Sequence, residues 1–390
     1  MDESRRDQPR YDALRDRLGD KGSRAYLTTP ALVCDYDLLV ENVSSMAAMT
    51  TRSGVALRPH VKSHKSAYVA RLQLEAGAAG LAFAKLSEAE AVVAGLAREG
   101  TPARVSALLT SPLVGHALAR RAIDLSRLCD LSVVVDCTDG VDELDEAAST
   151  ADVQLTVLCD VDVGLGRTGV ASSSDALRVV ERITSTSHLR FGGVQGYAGH
   201  LQHVAGRDER RAASIESTDV LRRVVKALES HGHDVALRTG GGTGTSQIDV
   251  ELGLLNELQC GSYVFMDREY RDALGDDVEG RFAQSLFIEA TVVSDNHERF
   301  VTVDAGLKAM ATDAGVPLIA GHEGEVSYQF FGDEHGMVTR GAHDPFRRGD
   351  RLTLVPPHCD PTVDKYDVIW FVRGDVVLDV MDVDARGCSQ

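Results

Sequence analysis

The stretch best equipped for chemistry is Arg58-Pro59-His60-Val61-Lys62-Ser63-His64-Lys65, which follows the apolar run Val55 to Leu57 and precedes a helical pattern. In a chain of formal net charge -18, five basic or imidazole side chains within one octapeptide point to an anion or an electrophile. A lysine whose pKa is lowered by desolvation or by neighbouring cations becomes a nucleophile, and its neutral amine condenses with an aldehyde to a Schiff base. Taken alone, the octapeptide reads equally well as a solvated strand-to-helix loop.

Two further stretches carry donors. Arg238-Thr239-Gly240-Gly241-Gly242-Thr243-Gly244-Thr245 combines small residues, which let backbone N–H groups approach an anion, with threonine hydroxyls that can donate. Gly261-Ser262-Tyr263 is a second small-residue set. Near the C-terminus lies Pro356-Pro357-His358-Cys359-Asp360-Pro361-Thr362. Its prolines are expected to hold the backbone extended, so that His358 and Asp360 project to one side and Cys359 to the other. Such a pair is either a small divalent-cation site completed by water or a proline-rich turn with a buried His–Asp hydrogen bond.

The elements that must position these residues follow from pattern. At 390 residues the chain exceeds one ordinary core, so a large domain of roughly 250 residues plus a smaller one is expected. From residue 55, apolar β-branched runs alternate with helical periodicity. The runs are Val55 to Leu57, Gly80 to Ala84, Arg104 to Leu108, Leu131 to Val135, Leu155 to Val161, Phe191 to Tyr197, Val235 to Leu237 and Ser262 to Phe265. Eight βα units favour a closed (β/α)8 TIM-like barrel over an open doubly wound sheet. After about residue 275 the texture becomes β-alternation broken by turn residues, the signature of an all-β domain. The expected division is therefore an N-terminal helix and strand (1–35) that joins the β-domain, a barrel over 36–272, and a C-terminal β-domain over 273–390. In a barrel the reactive residues lie on loops after the strands, with a phosphate site commonly after strands seven and eight. Lys62 follows the first strand, the Arg238 to Thr245 set follows the seventh, and Gly261-Ser262-Tyr263 comes after Cys260, where the eighth begins. A lysine aimed at a phosphate-bearing aldehyde means pyridoxal 5'-phosphate.

Composition excludes several classes. Asp and Glu outnumber Lys and Arg by 59 to 41, which argues against nucleic acid and anionic membranes as partners. No apolar stretch reaches the length of a membrane span, and the charged segment Asp2 to Arg17 is neither a signal peptide nor a span. Seven scattered cysteines without a CxxC pair read as reduced thiols of a cytoplasmic protein.

The chain resembles the pyridoxal-phosphate enzymes of the alanine-racemase fold, and within them the D-threonine aldolase and D-serine dehydratase branch. The resemblance rests on Thr29-Pro30-Ala31-Leu32-Val33 with Asp35, Asp37 and Asn42, the Lys62 octapeptide, Asp162-Val163-Gly164 with Arg167 and Gly169, and Gly196-Tyr197-Ala198-Gly199-His200. It continues through the Gly240 loop, Gly261 to Asp267, Val303-Asp304-Ala305-Gly306, Asp333-Glu334-His335-Gly336 and Asp384-Ala385-Arg386-Gly387. It implies a barrel plus β-domain, Lys62 as the Schiff-base lysine, and Arg167 on the cofactor's phenolic oxygen or the substrate carboxylate. It turns the reading of His358 and Asp360 toward metal. In this branch a cysteine two residues after the histidine suits zinc in the dehydratases, whereas an aspartate suits manganese or magnesium in the aldolases.

Cofactor-binding candidates are thus Lys62, Arg167, Tyr197, Thr239, Gly241, Gly242, Thr243, Gly261, Ser262 and Tyr263. His200, expected at the barrel mouth, is either a general base, an orienter of metal-bound water, or a hydrogen-bonding loop histidine; Tyr197 is expected to line the cofactor ring. His60 and His64 are expected either to support Lys62 or to lie on the phosphate side, rather than to act as catalysts, and Lys85 with Glu88 and Glu90 to form a salt-bridged helix start. The resemblance implies a small-molecule amino-acid substrate, a homodimer, and metal-assisted retro-aldol cleavage of D-β-hydroxy-α-amino acids to glycine and an aldehyde. Elimination from D-serine or 3-hydroxyaspartate is the nearest alternative; an amino-acid racemase and a non-catalytic pyridoxal-phosphate carrier leave the metal pair unexplained.

Overall fold

The computed structural model describes residues 14, 16–101, 104–275, 282–340 and 346–390. The expected N-terminal helix falls largely outside them. Contacts divide the chain into two compact units, one of residues 46–62, 69–261 and 388–390, the other of residues 1–45, 63–68 and 262–387.

The first unit is a parallel barrel. Its strands are β2 (Ala56–Leu57), β3 (Leu81–Phe83), β4 (Ser106–Leu109), β5 (Asp130–Val135), β6 (Leu155–Asp160), β7 (Leu189–Gly196), β8 (Leu237–Gly240) and β9 (Glu257–Leu258), numbered after β1 (Ala31–Asp35) of the other unit. They run in the order β2-β9-β8-β7-β6-β5-β4-β3, and a parallel bridge between His60 and Ala82 closes the ring. The helices between them are amphipathic, as in Ser173–Thr184, where Ala176, Val179, Val180 and Ile183 are buried and the Ser172 hydroxyl caps the first turn by accepting from the Asp175 amide.

Alternation along the strands sends every second side chain inward. An apolar layer of Leu108, Val134 and Leu158, with Leu237 against it, fills the ring. Beyond it, towards the strand C-termini, lies a polar layer. Glu257 accepts from Arg58 Nε (2.8 Å) and from the Thr239 hydroxyl (2.9 Å), Gln259 donates to Thr239 Oγ1 and Gln195 Oε1, and Gln195 donates to Asp160 (2.9 Å). A chain of satisfied buried groups of this kind fixes the floor beneath the barrel mouth.

Two strand expectations need correction. The seventh barrel strand covers Leu237–Gly240, not Val235 to Leu237, so Arg238, Thr239 and Gly240 are strand residues and Thr239 points into the barrel. The eighth is the two-residue β9, whereas Ser262–Val264 forms a 3-10 turn. Ser262 to Phe265 reads as a strand because all four residues are buried, and burial without period cannot separate strand from tight helix.

In the second unit β1 pairs antiparallel with β10 (Leu286–Ser294) and parallel with β16 (Val368–Arg373). The remaining strands are β11 (Phe300–Val303), β12 (Leu318–Ile319), β13 (Tyr328–Phe330), β14 (Gly336–Thr339), β15 (Arg351–Val355) and β17 (Val376–Asp382). Their order is β13-β14-β11-β10-β1-β16-β17, with β15 on β10 and β12 on β15. Among the described residues, the strand pairs of this unit are antiparallel except β1–β16.

Candidate active site

Lys62 sits half-buried in the 3-10 turn Val61–Ser63, directly past the C-terminal end of β2. The His60 ring steadies this turn: its Nδ1 accepts from the Lys62 amide (3.4 Å) and its Nε2 lies 3.2 Å from the Thr110 hydroxyl. His64 is fully buried, and its Nδ1 accepts from the Ser66 amide (3.2 Å). Lys65 has a different task. It pairs with Asp364 at 3.0 Å and donates to the Ala385 carbonyl, both within the strand unit.

The other barrel candidates also follow strand C-termini. Arg167, exposed on the loop after β6, holds its guanidinium 5.5 Å from the centre of the Tyr197 ring, which follows β7. His200 lies in the 3-10 turn Gly199–Leu201 and is exposed. Gly164, in Asp162-Val163-Gly164, lies beside this ring and has φ +113°, a backbone conformation that favours glycine. After β8 the backbone turns through Gly241, at φ +69°, into Gly242, Thr243 and Gly244. Gly261 follows β9. These residues fit a phosphorylated aldehyde: an amine after the first strand, a cation–ring pair after the fifth and sixth, and small-residue amides with a threonine hydroxyl after the seventh and eighth. Thr239 is the exception, because its hydroxyl is committed to Glu257.

Lys85 is the N-cap of helix Leu86–Arg98. Glu88 accepts from the Ala84 amide and Glu90 pairs with Arg121.

The strand unit holds the metal candidates. The backbone at 358–363 is not the extended run anticipated: His358 is the extended N-cap of a short helix, Cys359–Val363. Pro361 falls within its first turn, where proline's missing N–H costs nothing. Cys359 therefore does not face away from Asp360, since its thiol donates to Asp360 Oδ1 (3.2 Å). Asp313, which the sequence reading missed, receives His358 Nδ1 at 2.7 Å. An imidazole that donates Nδ1–H to a carboxylate presents Nε2 as the ligating nitrogen, the arrangement found behind most metal-bound histidines. Burial alone would lower the pKa of His358, but the carboxylates of Asp360, Asp313 and Asp267 outweigh it and hold the ring above its ordinary value. Among the described residues no group of three or more His, Cys, Asp or Glu is arranged to hold a metal. The donor set fits an ion held by His358 and Asp360 with oxygen ligands from water and substrate.

Asp267 ties this helix to the turn that carries Ser262 and Tyr263. It caps its own helix, Arg268–Leu274, by accepting from the Tyr270 amide (2.9 Å), and accepts from the Cys359 amide (2.8 Å) at the start of the other. Burial pushes its pKa up to about 6 against the pull of these two donors. Tyr263 is fully buried, its ring 5.6 Å from that of Phe282.

The model of the alanine racemase N-terminal domain matches residues 34–269, and that of a serine dehydratase domain matches residues 285–372. The chain belongs to the alanine-racemase-fold family, in its D-threonine aldolase and D-serine dehydratase branch. It is 36% identical to a D-threonine aldolase from Arthrobacter sp. over 94% of each chain, and 33% identical to a 3-hydroxy-D-aspartate aldolase from Paracoccus denitrificans (strain Pd 1222), covering 93% of this chain and 92% of that one. A crystal structure of D-threonine aldolase from Filomicrobium marinum superposes with a TM-score of 0.88 at 34% identity, covering 94% of this chain and 98% of that one. This family implies pyridoxal phosphate, and the barrel-mouth residues are the ones chemically suited to it.

Proposed function

We propose that the protein is a pyridoxal-phosphate- and divalent-metal-dependent lyase that cleaves D-β-hydroxy-α-amino acids to glycine and an aldehyde. The observation that carries the reading is the His358–Asp360 pair, its imidazole oriented by Asp313, in a chain whose barrel offers Lys62. Asp360, where the dehydratases of this branch carry cysteine, favours a hard ion such as manganese or magnesium over zinc.

The roles follow from each residue's chemistry. Lys62 would hold the cofactor through its amine, which its place directly past the first barrel strand leaves at the barrel mouth. Arg167 supplies a fixed positive charge for the phenolic oxygen or the substrate carboxylate, and the Tyr197 ring beneath its guanidinium limits its swing. The amides and hydroxyl of Gly241, Gly242 and Thr243, with Gly261 and Ser262, hold the phosphate, and Tyr263 backs the second of these sets. Bound there, the cofactor supplies an electron sink for the bond broken at Cα. A cation on His358 and Asp360 supplies Lewis acidity at the substrate hydroxyl. His200 takes the hydroxyl proton as general base.

A second reading, elimination of water from D-serine or 3-hydroxyaspartate, is favoured by the match of residues 285–372 to the serine dehydratase domain. Incubation with D-threonine, with and without chelator, separates the two. Glycine and acetaldehyde, lost on chelation, support cleavage; 2-oxobutyrate and ammonia support elimination and overturn our reading. A cytoplasmic homodimer is part of the proposal. The cytoplasmic placement is in keeping with seven cysteines that form no disulfide and with the absence, among the described residues, of a helix long and apolar enough to cross a membrane, and the dimer rests on the family resemblance.

A further inference from the structure

The glycine loop after β8 is shaped from behind by one side chain. Gln202, 1% exposed, lies two residues beyond His200 on the β7 side of the barrel mouth. Its Oε1 accepts from the Gly244 amide (3.0 Å), and its Nε2 donates to the Ala198 carbonyl (3.2 Å) and to Thr245 Oγ1 (3.1 Å). The Thr245 hydroxyl in turn donates to Asp249 Oδ2 at 2.6 Å. A flipped amide would set N–H against N–H at Gly244 and C=O against C=O at Ala198, so Gln202 has one orientation.

The glycines conform to this relay. A Cβ at Gly242 would collide with the Gln202 amide, one at Gly244 with the Gln202 carbonyl, and one at Gly241 would stand 2.6 Å from Asp249 Oδ2. A cavity of about 30 Å³ has Gly241, Thr245 and Asp249 in its lining, together with Ser214, Ser217 and Leu221.

We propose that Gln202, Thr245 and Asp249 form a positioning relay that holds the loop 241–244 in the form that receives the cofactor phosphate, and that couples this loop to the turn bearing His200. The proposal rests on the reading of 241–243 as a phosphate site. None of the three is a catalytic residue; they act through the backbone they hold.

The test compares two probes on apo-protein, pyridoxal 5'-phosphate and pyridoxal, which lacks the phosphate, with dissociation constants from visible absorbance. Gln202→Leu and Thr245→Val are expected to weaken pyridoxal phosphate about tenfold, the effect of one lost hydrogen bond or slightly more, and to leave pyridoxal unchanged. Thr245→Ser, which keeps the hydroxyl, is expected to bind like the parent. Equal weakening of both probes, or of neither, overturns the relay. Should Gln202→Leu fail to fold, the Thr245→Val and Thr245→Ser pair carries the same comparison. If the parent itself binds both probes equally, the phosphate assignment fails, a different result from failure of the relay.

Discussion

His358 Nδ1 and Asp313 Oδ2 stand 2.7 Å apart, joining residues 45 positions distant in the chain. The bond fixes the imidazole's tautomer and aim. Replacement of an outer carboxylate behind a ligating histidine costs about 10- to 100-fold in metal affinity. Asp313→Ala is therefore expected to raise the manganese dissociation constant by that factor in calorimetric titration of metal-free protein. An affinity equal to the parent's would remove Asp313 from the site.

The two lysines of the octapeptide divide their labour. Lys62→Ala is expected to abolish the borohydride-sensitive visible absorbance that pyridoxal phosphate gives with the parent. Lys65→Ala is expected to retain it and to lose less than about 1 kcal/mol of stability, since the partner of Lys65, Asp364, is partly exposed. A colourless Lys65→Ala protein would reverse the assignment.

Arg58 and Glu257 form a buried ion pair at 2.8 Å in the barrel's polar layer, with side chains 10% and 3% exposed. Removing one partner leaves an uncompensated charge, so Glu257→Ala should destabilise by about 3 to 5 kcal/mol. Urea unfolding measures this; a loss under about 1 kcal/mol would mean that water reaches Arg58.

Asp249 gives a pH signature. Burial pushes its pKa from 3.8 to about 7, against a lowering contribution from the Thr245 hydroxyl. A carboxyl raised in the folded state binds its proton more tightly there than in the unfolded chain. Its contribution is intact below about pH 4 and is lost as pH climbs through 7, the loss being of the order of 4 kcal/mol. Asp249→Asn removes that dependence, so the melting temperature of apo-protein, variant minus parent, should be higher at pH 8 than at pH 5. A difference that does not change with pH would place a charged, solvated carboxylate at 249.

The barrel and the strand-rich unit were legible because periods of 3.6 and 2 residues alternate cleanly, and the strands from β10 onward that carry strong β-branched alternation sit where the pattern puts them. The errors occurred where local rules compete. Three prolines around His358 favour an extended chain, yet the helix starts at Cys359 because the Asp267 carboxylate, 92 positions away, caps it. Ser262 to Val264 is apolar enough for a strand but turns as 3-10 helix after a two-residue β9. The glycine loop was visible as a loop, although its first residues, Arg238 to Gly240, belong to β8, while the reason Gly242 and Gly244 must be glycines lay in Gln202, which no local signal marks. Asp313 was likewise invisible, since a lone aspartate gains meaning only from the ring it touches.

Asp267 serves two helix starts with one carboxyl group. The segment bearing Ser262 and Tyr263 and the segment bearing His358 and Asp360 are therefore pinned to a common rivet, and a shift of either drags the other. Swapping this side chain for a shorter one would unfasten both at once. The separation between a group held at 262 and an ion held at 358 is thus an inherited dimension of the scaffold, not something each substrate must negotiate on arrival.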